Sequence, residues 1–166
     1  TQMFYHSDGN IFAVMDDRSR VCCHAQWYLD ETTRTLVHGY SQGVQKRGLP
    51  RATLSDNGSA MVAHEFGEGL GRLAVVHQTT LPHSPYQNGK QENFWGQVEG
   101  RLMSMLENHP ELSLSFLNEA TQAWVEGEYN RKVHSETHQV PLERFLDDPG
   151  VARACPEPGT LDLAFL

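Results

Sequence analysis

Two acidic residues stand at places where a chain commonly presents side chains for chemistry. Asp56 follows the short run Ala52-Thr53-Leu54-Ser55 and opens Asp56-Asn57-Gly58-Ser59. Glu92 follows after 35 intervening residues, just past Ser84-Pro85-Tyr86-Gln87-Asn88-Gly89-Lys90-Gln91. Phe94, Trp95, Val98, Leu102, Met105 and Leu106 then recur at helical spacing, so one stripe of that helix faces a core. At ~100° per residue, Glu92 falls at the edge of the stripe, about 60° from Trp95, at the rim of any cleft beside the helix. Carboxylates are the hard oxygen ligands that divalent cations such as Mg²⁺ prefer. Taken singly, neither residue says much. Acids favour the first turn of a helix for dipole reasons, and Asp-Asn-Gly is by default a turn.

The two motifs together say more. In this order and at this separation, Ser55-Asp56-Asn57-Gly58-Ser59 and Ser84 to Glu92 resemble the integrase-type catalytic core of bacterial insertion-sequence transposases and retroviral integrases. That family carries two aspartates and a glutamate, with a spacing like this one before the glutamate. Glu128-Tyr129-Asn130-Arg131 and the later Pro141 are similar to its closing segment, so the resemblance covers Ile11 to Phe145. It implies a ribonuclease-H-like α/β fold, a mixed five-stranded sheet flanked by helices. It also implies cleavage and joining of DNA strands with Mg²⁺ or Mn²⁺. One cation would activate the nucleophile and a second would stabilise the leaving oxygen. Asp56 would bridge the cations and Glu92 would complete one shell. Gln87, Asn88 and Lys90 would reach DNA as the loop Pro82–Lys90 closes.

The first aspartate of that set is not located. Asp8 sits in a turn, and Asp16 and Asp17 end the second strand, where the family carries a non-catalytic acid. If Thr1–Ser7 is the first strand, Met3 or Phe4 occupies the catalytic place; otherwise that strand lies upstream. A second reading follows from this, a catalytically inactive relic serving in dimerisation or assembly. A ribonuclease-H-type nuclease is a weaker third, against which the spacing and the Pro-Tyr-Gln-Asn-Gly loop speak.

The elements that must position these residues can be read in order. Thr1–Ser7 and Val21–Leu29 alternate and Ile11–Met15 is a buried apolar run, which makes three strands joined by short turns. Thr32 or Thr33 caps a helix that ends at Lys46-Arg47-Gly48. Ala52–Ser55 is a fourth strand, about Ala63 to Arg72 a helix, and Ala74–Thr80 a fifth strand. The Glu92 helix and another over Leu112–Arg131 complete the core. Two prolines and Asn88-Gly89 make Pro82–Lys90 a loop, mobile before substrate binds or braced by its prolines. From Asp147 onward Pro149, Gly150, Pro156, Pro158 and Gly159 read as a linker, which divides the chain into a core over 1–146 and a tail over 147–166.

Composition sets limits on partners. With 166 residues the chain is one domain able to bury a core, and no apolar run is long enough to cross a membrane. Cys22, Cys23 and Cys155 are no disulfide framework, which fits a reducing, cytoplasmic setting. Thirteen basic against twenty-one acidic residues give a net charge of −8, where DNA-binding domains usually carry a basic excess. In the family, flanking domains supply much of the DNA affinity, and those domains are expected to lie outside this sequence. The partners implied are transposon-end and target DNA and a second copy of the chain, paired through the Thr32–Gly48 or Leu112–Arg131 helix. Among other candidates, Glu99 reads as solvated, Trp95 as core, Lys90 by default as a surface lysine. His134 and His138 lack a third zinc ligand nearby.

Overall fold

Alternation along the first two strands decides the layering. In the computed structural model, which describes residues 1–5, 10–81, 85–150 and 153–166, β1 (Gln2–Tyr5) sends Met3 to one face and Phe4 to the other. β2 (Ile11–Met15) is buried along its whole length, with Phe12 and Val14 on the first face and Ile11, Ala13 and Met15 on the second. β3 (Cys22–Trp27), β4 (Ala52–Ser55) and β5 (Val76–Thr79) complete a sheet of order β3-β2-β1-β4-β5. The first three strands pair antiparallel; β1–β4 and β4–β5 are parallel. This is the expected mixed five-stranded sheet.

Helix α1 (Thr33–Arg47) begins where the sequence places its cap. Thr32 Oγ1 accepts the Thr35 N–H, and Gly48, at φ 88°, closes the helix by donating to Val44 O at 2.8 Å. It covers the first face with α2 (His64–Arg72), around Leu36, Tyr40, Phe66 and Leu70. The second face is covered by α3 (Pro85–Gln97), its continuation through a π-helical turn (Val98–Met103) into α4 (Ser104–Leu106), and α5 (Leu114–Gly127) with a 3₁₀ turn (Tyr129–Arg131).

Three expectations are corrected. The segment read as a loop up to Lys90 is helical from Pro85, through Asn88 and Gly89. Proline's fixed φ suits a first helical turn, where its missing N–H is not needed. The poor helix formers behind it cost at most about 1 kcal/mol each, which the buried Phe94 and Trp95 downstream offset. Residues 82–84 of the expected closing loop lie outside the described residues. Met105, expected in the buried stripe, is half exposed while Leu102 and Leu106 are buried, because the wider π turn shifts the helical phase ahead of it. Third, the tail does not behave as a linker. Arg153 pairs with Leu49, and its guanidinium donates to Pro50 O at 2.8 Å and Ala74 O at 3.0 Å. Beyond α6 (Pro141–Leu146), helix α7 (Pro158–Ala164) buries Leu161 and Ala164 in the first-face core. Phe165 stacks on Phe66 at 5.8 Å, in space that a side chain on Gly69 would fill, since a Cβ there would lie 2.2 Å from the Phe165 ring. Proline- and glycine-rich composition hid a docked helix that starts with proline at its N-terminus.

The outer edge of β3 is closed by side-chain amides. Asn118 on α5 accepts the Trp27 N–H (2.7 Å) and donates to Trp27 O (3.1 Å), and Asn130 does the same for Cys22 (2.8 and 3.0 Å). Gln122 donates to Ala25 O. These amides stand in for a sixth strand. Beside them His24 is 3 % exposed, accepts the Lys46 ammonium at its Nδ1 (2.9 Å) and bonds Gln26 through Nε2. Burial, with the Lys46 charge second, pushes its pKa down to about 4.

Two outcomes follow. Leu161→Ala lowers unfolding free energy by about 2–5 kcal/mol in urea titrations, where removal of a side chain from a linker would leave it unchanged. His24 gives a pH signature. Its imidazole takes up a proton near 6.5 in the unfolded chain and near 4 in the folded one. Its stabilising effect is therefore complete above about 6.5, falls as pH drops through the window to 4, and amounts to roughly 3 kcal/mol. Thermal melts across that window should show a shallower pH slope for His24→Gln than for the parent chain.

Candidate active site

Asp56 stands one residue beyond the end of β4, and the residues on either side of it are tied to the end of β5. Ser55 is fully buried; its carbonyl accepts the Thr80 N–H at 2.8 Å and its hydroxyl meets His77 Nε2 at 2.8 Å. Burial holds the His77 pKa below its usual value. Asn57 Nδ2 donates to Thr80 O at 3.1 Å. Asp56 itself is half-buried, and its Oδ1 accepts the Gly58 N–H at 2.8 Å. A Cβ on Gly58 would come within 2.9 Å of that oxygen, so glycine is what lets the turn fold back on the carboxylate.

Glu92 is placed by the aromatic residues that follow it. Trp95 meets Phe4 of β1 edge-on at 5.2 Å, and Phe94 meets Phe4 at 6.0 Å and Tyr129 at 5.1 Å. Those contacts seat α3 over β1, the strand beside β4. With Phe94 and Trp95 buried, Glu92 is turned to solvent. Neither Asp56 Oδ2 nor the Glu92 carboxylate has a protein partner among the described residues.

β1 places no carboxylate beside Asp56. One step beyond the last paired residues of β1 and β4, Met3 and Ser55, come Phe4 and Asp56, and Phe4 is a fully buried core residue. Asp16 is buried and structural: its Oδ2 accepts the Ser19 N–H (2.9 Å) and hydroxyl (2.7 Å). Asp8 lies outside the described residues. Among the described residues no three His, Cys, Asp or Glu side chains gather as a metal site. As hard oxygen donors open to solvent, Asp56 and Glu92 suit a divalent cation completed by water and phosphate. The set falls short of two fully ligated ions.

Lys90 is not a free surface lysine. Its ammonium touches Asp17 Oδ1 in the β2–β3 turn, and its side chain is only 12 % exposed. Asp17 also lies 3.9 Å from Arg20, which pairs with Glu136 at 3.3 Å, and Glu136 accepts from Asn93 at 3.4 Å. The chain of contacts thus leaves α3 at Lys90 and returns at Asn93, bracketing Glu92. Arg20 holds a left-handed backbone (φ 66°) at its centre. Sequence reading missed Asp17 and Glu136, because their partners are remote in the chain and no spacing signals them. The side chains of Gln87 and Asn88 lie outside the described part of the structure. Among the described residues, His134 and His138, i and i+4, gather no further metal ligands.

No protein-family model matches the chain, and no curated protein matches it significantly. Solved structures do. A chain of the simian T-cell lymphotropic virus intasome, determined by cryoEM in complex with PP2A regulatory subunit B56 gamma, aligns with TM-score 0.74 and 20 % identity over 94 % of this chain. This chain spans 56 % of that one's length. The catalytic core domain of BIV integrase aligns at 0.67 with 22 % identity, covering 88 % of this chain and 92 % of that one. The HTLV-2 integrase catalytic core domain, in complex with magnesium, aligns at 0.64 with 19 % identity, covering 87 % and 93 %. At these identities the likeness is one of fold, and it is the ribonuclease-H-like fold.

Proposed function

We propose that this chain is a DNA strand-transfer domain of the integrase type, from an insertion-sequence transposase, cleaving and joining phosphodiester bonds. One observation carries the reading. Asp56 follows directly on β4 with an open carboxylate oxygen, and α3 is seated over the neighbouring strand with Glu92 facing out. The magnesium in the HTLV-2 integrase core supports a divalent cation here, Mg²⁺ or Mn²⁺. Asp56 and Glu92 would hold it. When bound, such an ion polarises phosphoryl oxygens and lowers the pKa of its water.

The chain's own residues do the rest. Ser55, Asn57 and Thr80 fix the backbone around Asp56; Gly58 orients its carboxylate. Gln87, Asn88 and Lys90 are the proposed DNA contacts on the helix turn preceding Glu92, a phosphate-positioning role without base specificity. DNA and a second copy of the chain are the proposed partners. The copies would meet through α1 or α5, which flank the β3 edge. At −8, the chain depends on other segments for much of its DNA affinity.

A second reading has its own observation. Phe4 occupies the sheet position beside Asp56, which favours a DNA-binding or assembly module without chemistry. A strand-joining assay on a labelled DNA duplex in Mn²⁺ separates the two. The enzyme reading predicts joined product that falls at least about 100-fold in Asp56→Asn and in Glu92→Gln. Absence of product from the parent chain, with duplex binding retained, would leave the assembly reading in its place.

A further inference from the structure

We propose that Asp17 and Glu136 are internal substitutes for DNA phosphate, occupying in the DNA-free chain the groups on α3 that a nucleic-acid backbone would take. The inference rests on the DNA reading above. Lys90, the cation nearest Glu92 in sequence, is already neutralised by Asp17, and Asn93 already donates to Glu136. The two carboxylates are joined through Arg20, which lies 3.9 Å from Asp17 and 3.3 Å from Glu136. The cations and the anions differ in accessibility. Lys90 and Arg20 side chains are each 12 % exposed, whereas Asp17 and Glu136 are 57 % and 45 % exposed. The anions therefore lie on the solvent side of the cations, where an incoming phosphate would arrive.

A mostly covered ammonium or guanidinium needs an anion nearby, because desolvation without one is expensive. Asp17 and Glu136 supply it. A DNA strand would replace one anion by another and leave Lys90 and Arg20 in place. Each exchange opposes binding by the strength of a partly exposed ion pair. The acids therefore set affinity without touching the Glu92 carboxylate, and they deter the cations from binding other polyanions.

Fluorescence anisotropy of a short labelled duplex at low salt tests this, using the parent chain, Asp17→Asn, Lys90→Gln, the double variant, and Glu31→Gln, which removes the same charge before α1. Melting curves verify that each folds. Asp17→Asn is expected to bind about two- to five-fold more tightly, with most of that gain absent in the Lys90→Gln background and from Glu31→Gln. An equal gain from Glu31→Gln, or a gain undiminished by Lys90→Gln, overturns the inference and leaves the DNA reading standing, since charge alone would then explain it. So does weaker binding by Asp17→Asn. No binding of duplex by any of the proteins overturns both.

Discussion

The contact of Phe4 with Phe94 and Trp95 is the constraint on which the candidate site depends. A helix carrying Asn88, Gly89, Gly96 and Gly100 has poor intrinsic propensity, and nothing packs within 4 Å of a Cβ built on Gly89, Gly96 or Gly100. What holds α3 to the sheet is the aromatic cluster of Phe4, Phe94, Trp95, Trp124 and Tyr129. Edge-to-face rings contribute about 0.5–1.5 kcal/mol per pair beyond their buried area. Because the cluster begins two residues after Glu92, it fixes that residue's azimuth: Phe94 and Trp95 go in, so Glu92 must look out. The same ring of Phe4 that anchors the helix fills the sheet position beside Asp56. Phe4 thus both anchors α3 and lies beside Asp56 in the sheet.

The sheet treats its two edges differently. At β3 the outward N–H and C=O groups of Cys22 and Trp27 are taken by the buried Asn130 and the half-buried Asn118, so a further strand would have to displace those amides. That edge is shut to strand addition, and a second copy meeting α1 or α5 there would have to use side chains. β5 is short, and its Val76 and Gln78 are exposed. Its role lies inward: Thr80 and His77 brace Ser55, which keeps Asp56 from drifting with its turn. The tail strengthens the other face, where Leu161 and Phe165 complete the packing around Phe66 and Tyr40.

Much of this was legible because local chemistry and fold agree. Thr32 and Gly48 mark the ends of α1, Ala52–Ser55 coincides with β4, and the unbroken apolar run Ile11–Met15 coincides with β2. Where reading failed, two local rules competed. Proline at 85 and at 158 reads as a breaker, yet at the first turn it starts a helix, and only the aromatic and leucine residues behind it tell which. The π turn at 98–103 leaves no compositional trace, so the phase of Met105 was lost. Pairings such as Lys90 with Asp17 or Asn130 with Cys22 join residues far apart in the chain. Asn130 was visible as part of a family-like segment, but its task of closing a strand edge needed coordinates.

The central claim is that Asp56 and Glu92 serve one cation together. Mn²⁺ titration followed by electron paramagnetic resonance tests it on the parent chain, Asp56→Asn, Glu92→Gln and the double variant. If the carboxylates share an ion, either single substitution should weaken Mn²⁺ binding nearly as much as both together, the strong non-additivity of residues acting as a unit. Losses that simply add, or a Glu92→Gln variant that binds Mn²⁺ like the parent, would contradict the account.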